Sequence, residues 1–178
     1  MTTYYKLTDM DGKTHNNTQW GPGITHEANG DGKELCTAAV IHVYDHPYKA
    51  VLFNPIHADF RQCKLWRVEV EGVVADDHLK VGVKRCTTVE EVPAPEFNTT
   101  QRVAFALYCA LGVYHDPKFG AWAQRWLSGE DRSARAARAA GAAEAAWAAE
   151  AARAAEAAWA AEATIDFVSL AEKARQIK

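Results

Sequence analysis

The chain has 178 residues, 20 Lys and Arg against 23 Asp and Glu, and 48% apolar residues, which excludes a disordered polymer and permits one good domain, or a small domain with an appendage. A formal net charge of -3 without a basic block argues against nucleic acid as a partner. No apolar leader follows Met1 and no run of about 18 strongly apolar residues occurs, so the expectation is a soluble, cytoplasmic protein that makes no membrane contact.

The first half is rich in Gly, Pro, Asn, Thr and Val and reads as β-rich. YYKLT (4–8), followed by the Asp11-Gly12 turn signal, predicts an opening hairpin. Residues 14–33 have loop composition, with WGPG and NGDG as turn signals. AAVIHVYDHP (38–47) predicts a short buried strand. Pro47 then opens a helix over PYKAVLF, because the first helical turn needs no amide donor there, and Asn54-Pro55 is expected to stop it.

LWRVEVEGVV alternates, with Trp66, Val68 and Val70 on one face and Arg67, Glu69 and Glu71 on the other, the period of a half-buried strand. A second strand over 79–92 is expected to pair with it across Ala75-Asp76-Asp77-His78. Pro93-Ala94-Pro95 is a stiff break, after which the composition becomes helical.

Asn98 with Gln101 three residues on forms a capping box for a helix running to about His115, with Val103, Leu107, Ala110, Leu111 and Tyr114 on its apolar face. Asp116-Pro117 caps a second helix with the stripe Phe119, Trp122, Ala123, Trp126 and Leu127, closed by Ser128-Gly129. One long helix is expected from about Glu130, since Ala, Glu and Arg all favour helix. IDFVSLAEKARQI restarts an amphipathic pattern, with Phe167, Leu170, Ala174 and Ile177 on one side, and reads as a docking helix.

The predicted class is therefore α+β: a small β-rich N-terminal domain (1–95), a helical pair (96–129), and a region 130–178 holding the long alanine-rich helix and a C-terminal amphipathic helix. In 142–163 every third residue differs from alanine. At about 100° per residue such a period falls short of a full turn, so its long side chains wind around the helix and form no single face. Trp147 and Trp159 would lie about 120° apart around the axis and roughly 18 Å apart along it. The tract suits a spacer or a close-packing rod, a route to a homo-oligomer, with Trp147 and Trp159 as possible partner anchors. Arg132, Arg135 and Arg138 form a basic ladder at its start.

Few residues suggest chemistry. The widely spaced Cys36, Cys63, Cys86 and Cys109 include no CxxC pair and read as reduced, mostly buried thiols. His42 and His46, with His57, Cys36 and Cys63, are the best metal-ligand candidates, but no recognisable ligand spacing completes a set, so no metal is expected. There is no phosphate-binding GxxxxGK[ST], and none of the three serines, Ser128, Ser133 and Ser169, sits in a GxSxG elbow. Asp76-Asp77 and Glu90-Glu91 are adjacent carboxylates of the kind usually solvated.

The run LCTAAVIHVYDHPYKAVLFNPIHADF, then LWRVEVEGVV, then TTQRVAFALYCALGVYHDPKFGAWAQRWLSGEDRSARAA and an alanine-rich tract closing on IDFVSLAEKA resembles a family of uncharacterised bacteriophage and prophage proteins. These have a compact β-rich head, a helical segment with the pattern WA-x-x-WLSG-x-DRSA, and an Ala-rich tail of variable length. The resemblance covers almost the whole chain. It implies an accessory protein in the host cytoplasm, without a cofactor, that binds a host or phage protein and counteracts host defence. Trp66 and Tyr48 are then the binding aromatics of the head, with Trp147, Trp159, Arg132, Arg135 and Arg138 those of the tail.

A histidine after an apolar strand, a short helix and then V-E-V-E-G also looks like the core of ADP-ribosyltransferase-like folds, which bind NAD between two small sheets. That second resemblance implies an NAD-dependent enzyme. His42 would contact the cofactor ribose, Tyr44 or Tyr48 would stack on nicotinamide, and Glu90 or Glu91 would be the catalytic acid.

Overall fold

The computed structural model describes residues 2–133 and 165–178 and shows a mixed α+β protein that divides into two compact units, 1–95 and 96–178. The first contains strands β1 (Tyr4–Thr8), β2 (Lys13–Thr14), β3 (Thr18–Gln19), β4 (Thr25–Glu27), β5 (Ile41–Val43), β6 (Lys64–Asp76) and β7 (Val81–Val92), with short helices α1 (Pro47–Leu52) and α2 (Asn54–His57). Among the described residues, no helix is long and apolar enough to cross a membrane.

The frame is the antiparallel β6–β7 hairpin, which closes at Asp76↔Val81 with its turn at residues 77–80, two residues further along than the 75–78 turn read from the sequence. β1 pairs with the first part of β6, from Tyr4↔Val68 to Thr8↔Lys64. On the other side of the hairpin, β5 lies along Val81–Val83 and β4 along Arg85–Thr87. Tyr5 and Tyr44 exchange backbone hydrogen bonds, both 2.8 Å. The path β1–β6–β7–β5 thus returns to β1, and the sheet curls on itself.

The alternation read from the sequence explains what fills the curl. Trp66, Val68 and Val70 face inward, where they meet Trp20, Val43, Val81, Val83 and Cys86. The Trp66 Nε1–H donates to Thr8 Oγ1 at 3.0 Å and the Trp20 Nε1–H to Thr14 Oγ1 at 2.9 Å, so both indoles are buried without leaving a donor unpaired. Burying side chains of this size contributes about 1.5–3 kcal/mol each. The opposite face of β1 carries Leu7, which clusters with Tyr44, Ala50 and Leu65.

β6 bends where Gly72 takes a φ of +65° and a Cβ there would lie 3.0 Å from the Lys84 Cβ. The register shifts between Val73 and Ala75 add to that bend.

Two local expectations change. YYKLT does not form a hairpin with the residues after Asp11-Gly12: β1 takes β6 as its partner, while β2 pairs with β3. Long-range burial of Leu7 against Leu65 outweighs the local turn. Asn54-Pro55 does not simply stop α1; the proline occupies the first turn of α2, where its missing N–H costs nothing.

The second unit has α3 (Thr99–Leu111), α4 (Pro117–Ser128) and α5 (Phe167–Arg175). The α3 capping box forms as read: the Gln101 N–H donates to Asn98 Oδ1 at 2.9 Å and the Asn98 N–H to Gln101 Oε1 at 3.0 Å. α3 ends at Leu111, earlier than expected, when Gly112 donates to Cys109 O. Asp116 caps α4, and Gly129, at φ 83°, ends it. Leu107, Phe119, Trp122 and Ala123 form the core, and α5 docks on α3 through fully buried Ala171 and Ala174 and through Phe167, whose ring approaches Phe105.

The expected long helix does not start at Glu130. Residues 130–133 are non-helical, because the Glu130 and Asp131 N–H groups both turn back to the Arg125 carbonyl. The remainder of the alanine-rich tract, with Arg135, Arg138, Trp147 and Trp159, lies outside the described residues.

Candidate functional site

Ionisable groups gather where β5, α2 and the β6–β7 turn meet. β5 leads from His42 into Tyr44, and Pro47 starts α1 with His46 as its cap, the Tyr48 N–H donating to His46 Nδ1 at 3.1 Å. α2 then places His57 over Tyr44: the rings stack at 5.9 Å and the Tyr44 hydroxyl lies 3.2 Å from His57 Nδ1. His57 Nε2 is buried without a hydrogen-bond partner among the described residues. The turn supplies Asp77, whose Oδ1 accepts from the N–H groups of Leu79 and Lys80, and Lys80, whose ammonium lies 3.9 Å from Asp77 Oδ2.

Electrostatics make this cluster unreceptive to protons. Burial, then the Lys80 ammonium, push His57 down to about 4, with Asp77 only partly opposing. Burial, then Lys80 and Lys6, bring His42 to about 4. Burial also raises the Tyr44 hydroxyl far above its ordinary range. At neutral pH both imidazoles are therefore uncharged and the phenol is protonated. His42 Nε2 accepts the Cys36 N–H at 2.9 Å, so the ring proton sits on Nδ1.

Lys6 is a second buried cation, behind the first group. It faces the inside of the curl, donates to the His42 carbonyl at 3.0 Å and lies 4.4 Å from the centre of the Trp20 ring. Burial lowers it to about 8. The sequence reading missed Lys6 and Lys80, and it took Asp77 for a solvated carboxylate, whereas its side chain is only 17% exposed and caps the turn. For Lys6 a signal was available: it shares the parity of Tyr4 and Thr8, hence the inward face of β1.

The residues expected to handle NAD are not brought together. Glu90 and Glu91 pair with Arg67 and Trp66 at the other end of β7 from Gly82, the partner of His42. Both carboxylates are exposed and ion-paired across the hairpin, Glu90 with Arg67 at 2.7 Å and Glu91 with Lys64 at 3.8 Å. Tyr48 is half-buried on α1, its ring edge-on to His46 at 4.7 Å. Trp66 is a core residue, 5% exposed, and offers a partner no open face.

Arg132 is engaged within its own unit. It donates to the carbonyls of Trp126 and Lys178 at 3.0 and 2.7 Å and covers the Trp126 ring at 4.8 Å. Of the metal candidates, His42, His46 and His57 each have the contacts described above, and among the described residues no group of three or more His, Cys, Asp or Glu side chains could hold a metal ion. All four cysteines are free thiols, with Cys36 exposed and Cys86 and Cys109 buried.

A different kind of site is backbone. β1 covers β6 only as far as Val68, and no other strand among the described residues pairs with that edge of Glu69–Asp76. Because Tyr5 bonds to Tyr44, the N–H and C=O groups of Tyr4, Lys6 and Thr8 point to β6, and their partners Lys64, Trp66 and Val68 point back. Continuing the alternation, Val70 and Gly72 direct their backbone groups to the open edge while Glu69 and Glu71 bond to β7. Residues 69 and 71–73 are exposed, Val73 by 50%.

These features define a mixed α+β protein whose first unit is a curled antiparallel sheet with one strand edge left open. No protein-family model, curated protein or solved structure matches the chain.

Proposed function

We propose that this protein is a non-enzymatic accessory protein of a phage or prophage. It acts in the host cytoplasm by binding a host or viral macromolecule and so blunts a host defence. The observation that carries the binding part of this reading is the open edge of β6, whose outward backbone donors and acceptors no strand among the described residues pairs, the kind of edge partners use for strand addition. On this reading Trp147, Trp159, Arg135 and Arg138, which lie outside the described residues, modulate the interaction without providing its main surface.

The NAD-dependent alternative draws less support. His42 already spends its Nε2 on the Cys36 N–H, and the carboxylates that would act with it are ion-paired far along β7. The reading is tested by immobilising the full chain, passing lysate of infected and uninfected bacteria over it, and identifying what is retained. In parallel, melting is followed with millimolar NAD. A retained macromolecule with no NAD-dependent rise in Tm is expected; a rise in Tm that His42→Ala abolishes would reverse the assignment, as any ligand of the native state must stabilise it.

A further inference from the structure

We propose that the open edge of β6 takes up an extended peptide segment of alternating basic and β-branched residues, which adds to the sheet as a strand beyond the start of β1. The proposal rests on the binding role given above and specifies the partner's chemistry.

Three properties of the edge select this occupant. The first is backbone polarity: Val70 and Gly72 each present an N–H and a C=O outward, which only another extended backbone can satisfy in register. The second is charge. The stretch Glu69–Asp76 holds Glu69, Glu71 and Asp76 and no basic residue. Arg85, 3.6 Å from Glu71 and 3.8 Å from Glu27, is shared between two carboxylates. Glu69 and Glu71 lie on one face of the strand, so an added strand meets them with every second side chain, and opposite charges there are favoured while like charges are penalised.

The third property is the other face. Val70 packs against the Trp20–Trp66 core, and a β-branched side chain beside it would extend that apolar surface. A second copy of this chain fits less well, since pairing the edge with itself would bring acidic residues toward acidic residues. The site is short. The bend at Gly72 and the shift at Val73/Ala75 limit the straight part to the residues just beyond Val68, so one engagement is weak and side-chain charge contributes much of the selectivity.

The probe is a capped peptide of alternating lysine and valine, set against its glutamate–valine counterpart. Binding is read as slowed hydrogen exchange at the Val70 and Gly72 amides of the full chain. The expected result is at least tenfold slowing with the basic peptide and none with the acidic one. Two variants follow. Val70→Pro removes an N–H that points to the open edge, a place where a sheet tolerates proline, and should abolish the effect. Glu69→Lys leaves the backbone unchanged, keeping the test valid should the proline variant not fold; it should weaken the basic peptide about tenfold and strengthen the acidic one.

No slowing with the basic peptide, or equal slowing with both, overturns the proposal. So does a concentration-dependent dimer that Val70→Pro dissociates, because the edge would then be covered by a second copy. Lysate capture separates the two levels. A macromolecule retained equally by parent, Val70→Pro and Glu69→Lys leaves the binding role standing and removes the strand-addition site; capture of nothing removes the role itself.

Discussion

The Lys6 ammonium lies 4.4 Å from the centre of the buried Trp20 ring, a charge held inside the sheet with a carbonyl and an aromatic face as its neighbours. A buried ion without a counter-charge is costly, and the attraction to the indole offsets that cost only in part. The folded protein therefore holds this proton less well than the unfolded chain, down to about 8 from an ordinary value of 10.5.

Lys6→Met should consequently stabilise the protein at pH 7 by about 1–3 kcal/mol, since the methionine keeps the apolar stem and removes the charge. The pH dependence gives the sign. A depressed folded pKa makes the contribution of Lys6 best above about 10.5, progressively worse as pH falls to about 8, and constant below that. The stability advantage of Lys6→Met over the parent in urea unfolding should therefore shrink as pH rises between those limits, while the Cys86 and Cys109 thiols, which burial pushes up, lower both proteins alike there. A variant less stable than the parent at pH 7 would mean that the Trp20 contact outweighs burial.

At acid pH the two imidazoles take over. His42 and His57 fall to about 4 in the folded protein against about 6.5 in the unfolded chain. Their contribution is complete above 6.5, is lost as pH falls toward 4, and is flat below. Denaturation midpoints across that window should drop for the parent and drop less for His57→Gln and His42→Gln. Proton NMR of the imidazoles should place both titrations well below 6.5; a titration of either ring near 6.5 would contradict the buried, Lys80-facing environment.

Much of the scaffold was legible because it follows short-range rules. The Asn98–Gln101 box, the Asp116 cap, Gly129 and the alternation from Trp66 to Val70 each need only neighbours a few residues away. What escaped the sequence is non-local. Leu7 choosing Leu65 over the hairpin after Gly12, and Tyr44 meeting His57 and the Asp77–Lys80 turn, depend on segments far apart in the chain closing a curled sheet. The open edge was hidden for the same reason: Val70 and Gly72 read as ordinary strand residues, and it is the short reach of β1 that leaves them without a strand partner on that side among the described residues.

Gly72→Ala tests the bend. A side chain at φ +65° is strained in itself, and its Cβ would press on the Lys84 stem at 3.0–3.1 Å. A loss of about 2 kcal/mol is expected in chemical unfolding, from the left-handed backbone and the contact together. Gly30, also at positive φ (84°) but with open space around its missing Cβ, serves as control, and Gly30→Ala should lose only the backbone part.

Lys84 itself leads to the last prediction. Its ammonium donates to the carbonyls of Gly30 at 3.0 Å, Gly32 and Ala39 at 2.7 Å, using all three of its N–H groups on one loop. That loop also delivers the Cys36 N–H to His42 and is cross-braced by the Asn29 N–H bond to the Ala38 carbonyl. Lys84→Met removes the clamp while keeping the stem that packs beside Gly72. Since the loop is largely exposed, water can take over the freed carbonyls, so global stability should fall by only about 1 kcal/mol. Local opening should respond much more: exchange at the Asn29 and Cys36 amides is expected to speed at least tenfold, with amides in the β6–β7 ladder unaffected beyond the global change. Lys84→Arg should not restore protection, because a planar guanidinium cannot reach three carbonyls arranged around one point. Unchanged exchange at Asn29 and Cys36 in Lys84→Met would show that the loop is held by its own turns and not by this lysine.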